Sequence, residues 1–281
     1  MLFSDVLLTV DFDRTLTAQN STIPERNLEA IAYFMENGGA FTVNTGRSIP
    51  TFRQYLYTLP HSAPFLLYNG GATWQDGKLD NIREIPVPLE QVVSEVSGKY
   101  PDLNLEVQGV AAHFCNRITP GVKAFYDFMK CDYASLSQRD PAEPFLKFSL
   151  FGYLDEHASV DSLFHATAEE VAEMDAVEQW LNDTYAGKVA VFRAAPRIVD
   201  VQANGVSKIR SARNLQAQMG RKILVCVGDA ENDRPMLEGA DFAYVPADGV
   251  IAGAFERVCG CDDGAVADVI YKKIPEILKN S

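Results

Sequence analysis

An α/β fold built on a parallel sheet is what this sequence predicts, and three observations predict it. Short apolar runs over Leu7–Val10, Ala40–Val43 and Lys222–Val227 alternate with stretches of helical period, the pattern of βαβ units. The runs are almost wholly apolar instead of alternating, as expected of strands covered on both faces. Each run also ends in chemically capable residues: Asp11 and Asp13, then Thr45, Gly46 and Arg47, then Asp229 and Asp233. In open α/β sheets ligands sit just beyond the carboxyl ends of the strands. Carboxylates there point to a site that holds a cation, because two ionised acids side by side repel unless something positive lies between them. The alternative is a pair of solvated loop acids at 11 and 13.

The first strand leads through Asn20–Pro24, which is loop and cap material, into a helix carrying Leu28, Ile31, Ala32 and Met35 and stopped by Gly38-Gly39. The second strand, Ala40–Asn44, then runs parallel to the first by the right-handed crossover rule. Ile49–Leu59 reads as a helix whose N-terminus, just after Thr45-Gly46-Arg47, is a ready anion site. A third strand, Phe65–Tyr68, ends in Asn69-Gly70-Gly71, and Ala72–Gln75, Asp76-Gly77 and Lys78–Ile85 read as a hairpin.

Near Pro86 the character changes. A helix at Leu89–Tyr100, strands at Leu103–Gln108 and Val110–Cys115, a helix at Pro120–Met129, a strand at Leu146–Phe151, helices at Val160–Glu173 and Ala176–Leu181 and a strand at Val189–Phe192 make an inserted α+β domain. The division expected is a discontinuous first domain over 1–85 and 196–281 and an insert over 86–195. The first domain resumes with a strand at Ile198–Val201 and a helix opened by Ser207-Lys208. The strand Lys222–Val227 comes next, ending in Gly228-Asp229-Ala230-Glu231-Asn232-Asp233. Acids that decorate a helix N-terminus explain Glu231. They do not explain why acids cap only those buried strands that should meet. Phe242–Pro246 is a further strand, and the last helix ends near Leu278.

Composition narrows the function. Among 281 residues 47% are hydrophobic and the net charge is −13; such a chain suits a large core and repels nucleic acid. Five cysteines, an odd number without a CxxC pair, suggest a reduced, cytoplasmic protein. Cys259-Gly260-Cys261 reads as structural, since zinc sites need four ligands at recognisable spacings. The histidines, His61, His113, His157 and His165, are scattered. No apolar run approaches the ~20 residues of a membrane span, and the first residues do not read as a signal peptide.

Taken together, DxDxT at 11–15, TGR at 45–47, Lys208 at a helix start and GDxxND at 228–233 form an ordered set. This set resembles the haloacid dehalogenase superfamily of phosphatases, and within it the Cof-like subfamily, whose α/β cap lies between the second and third motifs. Asn69-Gly70-Gly71 and Asp262–Ala267 match that subfamily's punctuation. The resemblance spans essentially the whole chain, specific in the core motifs and architectural in the insert. It implies a Rossmann-like core with an α+β cap and a Mg²⁺-dependent phosphatase for small phosphorylated metabolites, such as sugar phosphates. Asp11 would be the nucleophile and Asp13 the acid and base. Mg²⁺ would be held by Asp11, Asp13 through its carbonyl, and Asp229, with Asp233 beside it. Thr45, Gly46, Arg47, Lys208 and Asn232 would bind the phosphoryl group. A phosphomutase using the same aspartate and a phosphoacceptor regulator are the alternatives. One departure stands out: the family most often has Gly where this chain has Arg14, read as a side chain that points to solvent. In the insert, His113, Arg117, Lys147 and Arg193 can be imagined reaching a substrate, but exposed ion pairing is the expected role of each.

Overall fold

The computed structural model describes residues 1–152 and 165–280. The chain divides into two compact units, one of Met1–Gly46, Thr58–Asn81 and Ser207–Ser281, the other of Arg47–Tyr57 and Ile82–Val206. It therefore passes between units at 46/47, 57/58, 81/82 and 206/207, where the sequence suggested two passages near 86 and 195.

In the first unit β1 (Val6–Val10) and β2 (Ala40–Val43) are joined by the helix Glu25–Glu36. Its buried residues Asn27, Ala30, Ile31 and Phe34 follow helical spacing, one position off the expected stripe. Pro24 occupies the cap position without a side-chain bond, and Gly38 turns the chain out of the helix at φ 90°. Next come β3 (Phe65–Leu67), β4 (Ala72–Gln75) and β5 (Lys78–Asp80), an antiparallel sheet whose hairpin turns at Asp76 and Gly77 with positive φ at both.

The second unit holds β6 (Asn104–Gln108), β7 (His113–Cys115), β8 (Tyr133–Ser135), β9 (Lys147–Phe151), β10 (Val189–Ala195) and β11 (Ile198–Ala203) in one sheet, ordered β10-β11-β9-β6-β7-β8. This corrects the placing of Ile198–Val201 in the first domain: that strand pairs with β10 through a tight turn and with β9 on its other side. Period-two alternation divides the sheet. Leu105, Val107, Phe148, Leu150, Val199 and Val201 bury one face with Val92 and Val96 of the helix Leu89–Lys99 and Met174, Val177 and Leu181 of the helix Ala168–Thr184. The other face carries Glu106, Lys147, Ser149, Asp200 and Gln202, also buried. The helix expected over 160–173 falls partly on 153–164, outside the described residues, as does His157.

Back in the first unit, β12 (Ile223–Val227), β13 (Phe242–Pro246) and β14 (Glu256–Val258) complete the parallel sheet β14-β13-β12-β1-β2. Every residue of β1 is buried, which explains its unbroken apolar sequence. Its register brings the strand ends level: Val10 lies opposite Val43 on one side and Val227 on the other. Three strands thus stop together, and the residues beyond each of them arrive at one place.

Candidate active site

Asp11 is the first residue beyond β1, and its N–H donates to the Val227 carbonyl at 2.8 Å. Asp229 lies two residues beyond β12, and Asp233 closes that turn: its Oδ2 accepts from the N–H groups of Asp229 at 3.0 Å and Ala230 at 3.3 Å. Gly228 permits this closure, since a Cβ there would stand 2.6 Å from the Cβ of Asp233. Lys208 opens the helix Lys208–Gln218, capped by Ser207 Oγ, which accepts from the Arg210 N–H at 3.2 Å. The buried Lys208 ammonium donates to Asp11 Oδ1 and, at 2.6 Å, to Asp233 Oδ1. Thr15 donates its hydroxyl to Asp229 Oδ1 at 3.2 Å.

Carboxylate oxygens of Asp11, Asp229 and Asp233 lie within 4.8 Å of one another, and a single ammonium group bonds the first and the last. Burial, then the Asp233 charge, push the Asp11 carboxyl well above its ordinary range against the pull of Lys208. The same two causes raise Asp229 to about 6, with Thr15, Lys208 and Arg14 opposing. Burial alone would lower Lys208, yet Asp11 and Asp233 hold it firmly cationic. An all-oxygen, charge-excess donor set of this kind fits a hard divalent cation such as Mg²⁺. The Asp13 carboxylate is not one of the three.

Beyond β2, Thr45 donates its own N–H to the Leu66 carbonyl and accepts from Asn69 N–H, both at 2.9 Å. Its N–H is thereby committed to the backbone. Gly46 passes so close to Asn69 that a Cβ would meet Asn69 Oδ1 at 2.8 Å. Arg47 belongs to the second unit, where its guanidinium donates to the Thr51 carbonyl at 2.9 Å. Asn232 is exposed on its turn.

Arg14 is exposed and sits at φ 57°, a left-handed conformation that explains why glycine suits the position. Its charge still reaches Asp229. In the second unit the expectation of exposed ion pairs holds for Arg193, which meets Asp175 and Glu178. Arg117 is exposed but donates to the Asp102 carbonyl instead. For His113 and Lys147 the expectation fails: both are buried, on Glu106 at 2.7 Å and Asp200 at 2.6 Å, because each projects from a strand toward a carboxylate on a neighbouring one.

Two supporting residues carry no motif that the sequence would single out. Asn44 Nδ2 donates to the Lys208 carbonyl at 2.8 Å, tying the end of β2 to the helix that carries Lys208. Buried Asn27 donates to the Leu16 carbonyl and accepts from the Ala267 N–H, holding the loop after Asp11 against the last helix. An amide inside an otherwise apolar helical stripe is the signal that could have found Asn27. All five cysteines are free thiols, and Cys261 donates to Asp248.

A sequence profile described as haloacid dehalogenase-like hydrolase matches residues 8–249. The chain belongs to that family. Within this family of hydrolases it falls in the Cof-like branch. Among curated proteins, the 5-amino-6-(5-phospho-D-ribitylamino)uracil phosphatase of Bacillus subtilis (strain 168) is 23% identical over 253 residues, 88% of each chain. Among solved structures, a haloacid dehalogenase-like hydrolase from Bacteroides thetaiotaomicron superposes with a TM-score of 0.77 at 20% identity, over 95% of this chain and 98% of that one. A subclass IIB sugar phosphatase of the same superfamily gives 0.72 at 19%, over 95% and 99%. At these identities the structural likeness shows the fold. Among the described residues, no helix of this haloacid dehalogenase-like hydrolase is long and apolar enough to cross a membrane.

Proposed function

We propose that this hydrolase is a Mg²⁺-dependent phosphatase of small phosphorylated metabolites, with phosphorylated sugars and sugar alcohols as its substrate class. The observation that carries the reading is the buried cluster of Asp11, Asp229 and Asp233, with Lys208 bonded to Asp11 and Asp233. Asp11, Asp229 and the Asp13 carbonyl would hold the cation, which when bound neutralises the phosphoryl oxygens and lets a carboxylate approach them. Asp11 would attack phosphorus while the bond from phosphorus to the ester oxygen breaks, and Asp13 would give that oxygen its proton. Asp13 would then take a proton from water as the water attacks phosphorus, releasing orthophosphate and restoring the Asp11 carboxylate. Lys208, Thr45 and the N–H groups after it would hold the equatorial oxygens. Arg47 and Asn232 would be outer contacts of the phosphoryl group.

The second unit would be the cap that selects the substrate and excludes water. Two relatives support the substrate class: the curated one acts, by its name, on a phosphoribityl compound, and one solved structure is a sugar phosphatase. The test is phosphate release from a panel of hexose, pentose and sugar-alcohol phosphates with Mg²⁺, beside a phosphopeptide and a phosphorylated oligonucleotide. Turnover of the small esters is expected to exceed that of the macromolecules; the reverse ranking would overturn the reading. Added sugar bisphosphate should leave phosphate release unchanged, whereas a mutase would need it for isomerisation.

A further inference from the structure

Three side chains of the second unit stand in line where nothing in the proposed chemistry needs them. Ser48 Oγ lies 2.6 Å from His113 Nε2, and His113 Nδ1 lies 2.7 Å from Glu106 Oε1. Glu106 also accepts from the Tyr126 hydroxyl at 2.7 Å and Gln108 Nε2 at 3.1 Å. Burial would raise the Glu106 carboxyl, but His113 and these hydrogen bonds bring it down to about 2. The order Ser–His–Glu is that of an acyl-transfer triad. Ser48 cannot serve as a nucleophile here: it is wholly buried, and its Oγ also accepts from the Thr51 N–H.

What Ser48 does is visible in its other bonds. It caps the helix Ile49–Phe52, and Ser48 N–H donates in return to Thr51 Oγ1 at 3.0 Å. The carbonyl of Thr51 in turn receives the Arg47 guanidinium. Segment 47–57 packs with the second unit although Gly46 and Thr58, on either side of it, belong to the first. Arg53 also ties this segment to the second unit, through Asp132 and the Ala111 carbonyl, but those bonds are exposed. The Ser48 tie is buried and ends in an ionised carboxylate, and hydrogen bonds to charged groups are the stronger kind.

We propose that Glu106 and His113 are positioning residues for phosphate binding. They hold Ser48, and through Ser48 and Thr51 they fix Arg47 in the turn just beyond Thr45-Gly46. The inference rests on the phosphatase reading for its kinetic test. Asp11, Asp13 and Lys208 are not in this chain of bonds, so losing it weakens ground state and transition state alike, which raises KM and spares kcat.

The experiment compares wild type with His113→Leu, Glu106→Gln, Ser48→Ala and the conservative His113→Gln, whose amide can still bond to Ser48. It measures kcat and KM for p-nitrophenyl phosphate with Mg²⁺, the affinity for inorganic phosphate by calorimetry, and the melting temperature. In His113→Leu, KM is expected to rise about tenfold, the scale of one buried hydrogen bond, with kcat within threefold and phosphate affinity falling in step. His113→Gln should recover most of that loss. If His113→Leu does not fold, Glu106→Gln and Ser48→Ala carry the same comparison. Folded variants with a lowered melting temperature but unchanged KM and phosphate affinity would overturn the proposal. If wild type turned over no phosphomonoester, the phosphatase reading would fall by itself. Phosphate affinity alone would then decide the positioning role, and unchanged affinity in the variants would overturn it.

Discussion

In the first unit Asp11, Asp229 and Asp233 lie together, and one ammonium group, that of Lys208, pairs with Asp11 and Asp233. In the second, Glu106 faces His113, and Asp200 faces Lys147 and accepts a hydroxyl from Ser149. Both groups are buried, and both look equally unusual in composition. They differ in balance. The carboxyl shifts track it: Asp11 and Asp229 are driven upward, while Glu106 is held down at about 2. A buried charge group that is already matched has no need of a ligand, whereas one with excess charge is unfinished until a cation arrives. Charge balance, more than burial, separates the proposed chemical site from the scaffold.

The sharpest test of that contrast is Asp11→Asn. Removing the proposed nucleophile should cut turnover by roughly 10³-fold or more, the scale on which covalent catalysis fails. The melting temperature of the metal-free protein should hold or rise, because one of three repelling acids is gone. Activity within tenfold of wild type would refute the assignment of Asp11.

Lys147→Met asks the converse question in the balanced group. It strands Asp200 in the interior, and unfolding titrations should register a loss of about 3–5 kcal/mol. Adding Asp200→Leu should restore much of it. A single substitution without cost would mean that the pair is solvated in solution.

The two groups should also pull stability in opposite directions with pH. Asp229 has a folded-state value above its unfolded one, so the folded protein binds more protons between about 4 and 6. Metal-free stability therefore falls as pH rises through that window, by on the order of 3 kcal/mol. Glu106 has a depressed value, so its contribution is present above about 4.5 and disappears as pH falls toward 2. Melting curves in chelator should peak where these windows meet, near pH 4. Mg²⁺ should raise the melting temperature more at pH 7 than at pH 5, and an equal effect at both would remove Asp229 from the metal site.

The smallest effect is expected at Arg14→Gly. Relief of left-handed strain, about 1 kcal/mol, is opposed by a similar gain in unfolded-chain entropy. Stability should change by under ~1 kcal/mol, and a large loss of activity would show Arg14 to be part of the site.

The contrast also explains what the sequence could reveal. Acids at the ends of apolar strands are conspicuous because nothing nearby in sequence balances them, so Asp11, Asp229, Asp233 and the parallel sheet were legible. Glu106, His113, Lys147 and Asp200 were not, because each partner lies on another strand and the alternating pattern reads as an ordinary half-polar sheet. The assignment of Ile198–Val201 failed for the same reason: a strand's sequence says that it pairs, not with which sheet. Strands β8 and β14 have three residues each, too short to show a period. Ser48 reads as a helix cap, and only the fold shows what lies behind its hydroxyl.

The common stopping level of Val10, Val43 and Val227 sets a rule for changes of length. A residue deleted within 6–10 would draw Asp11 back into the sheet and exchange which side chains face each side of it. Every position after the deletion would be out of phase with Thr45 and Asp229, although no chemical group had been lost. A residue added at the Asp76-Gly77 turn would shift nothing that the acids depend on. The core of this hydrolase should therefore drift freely in loop length while its three central strands keep their count, and any graft of a new insert should leave that count alone.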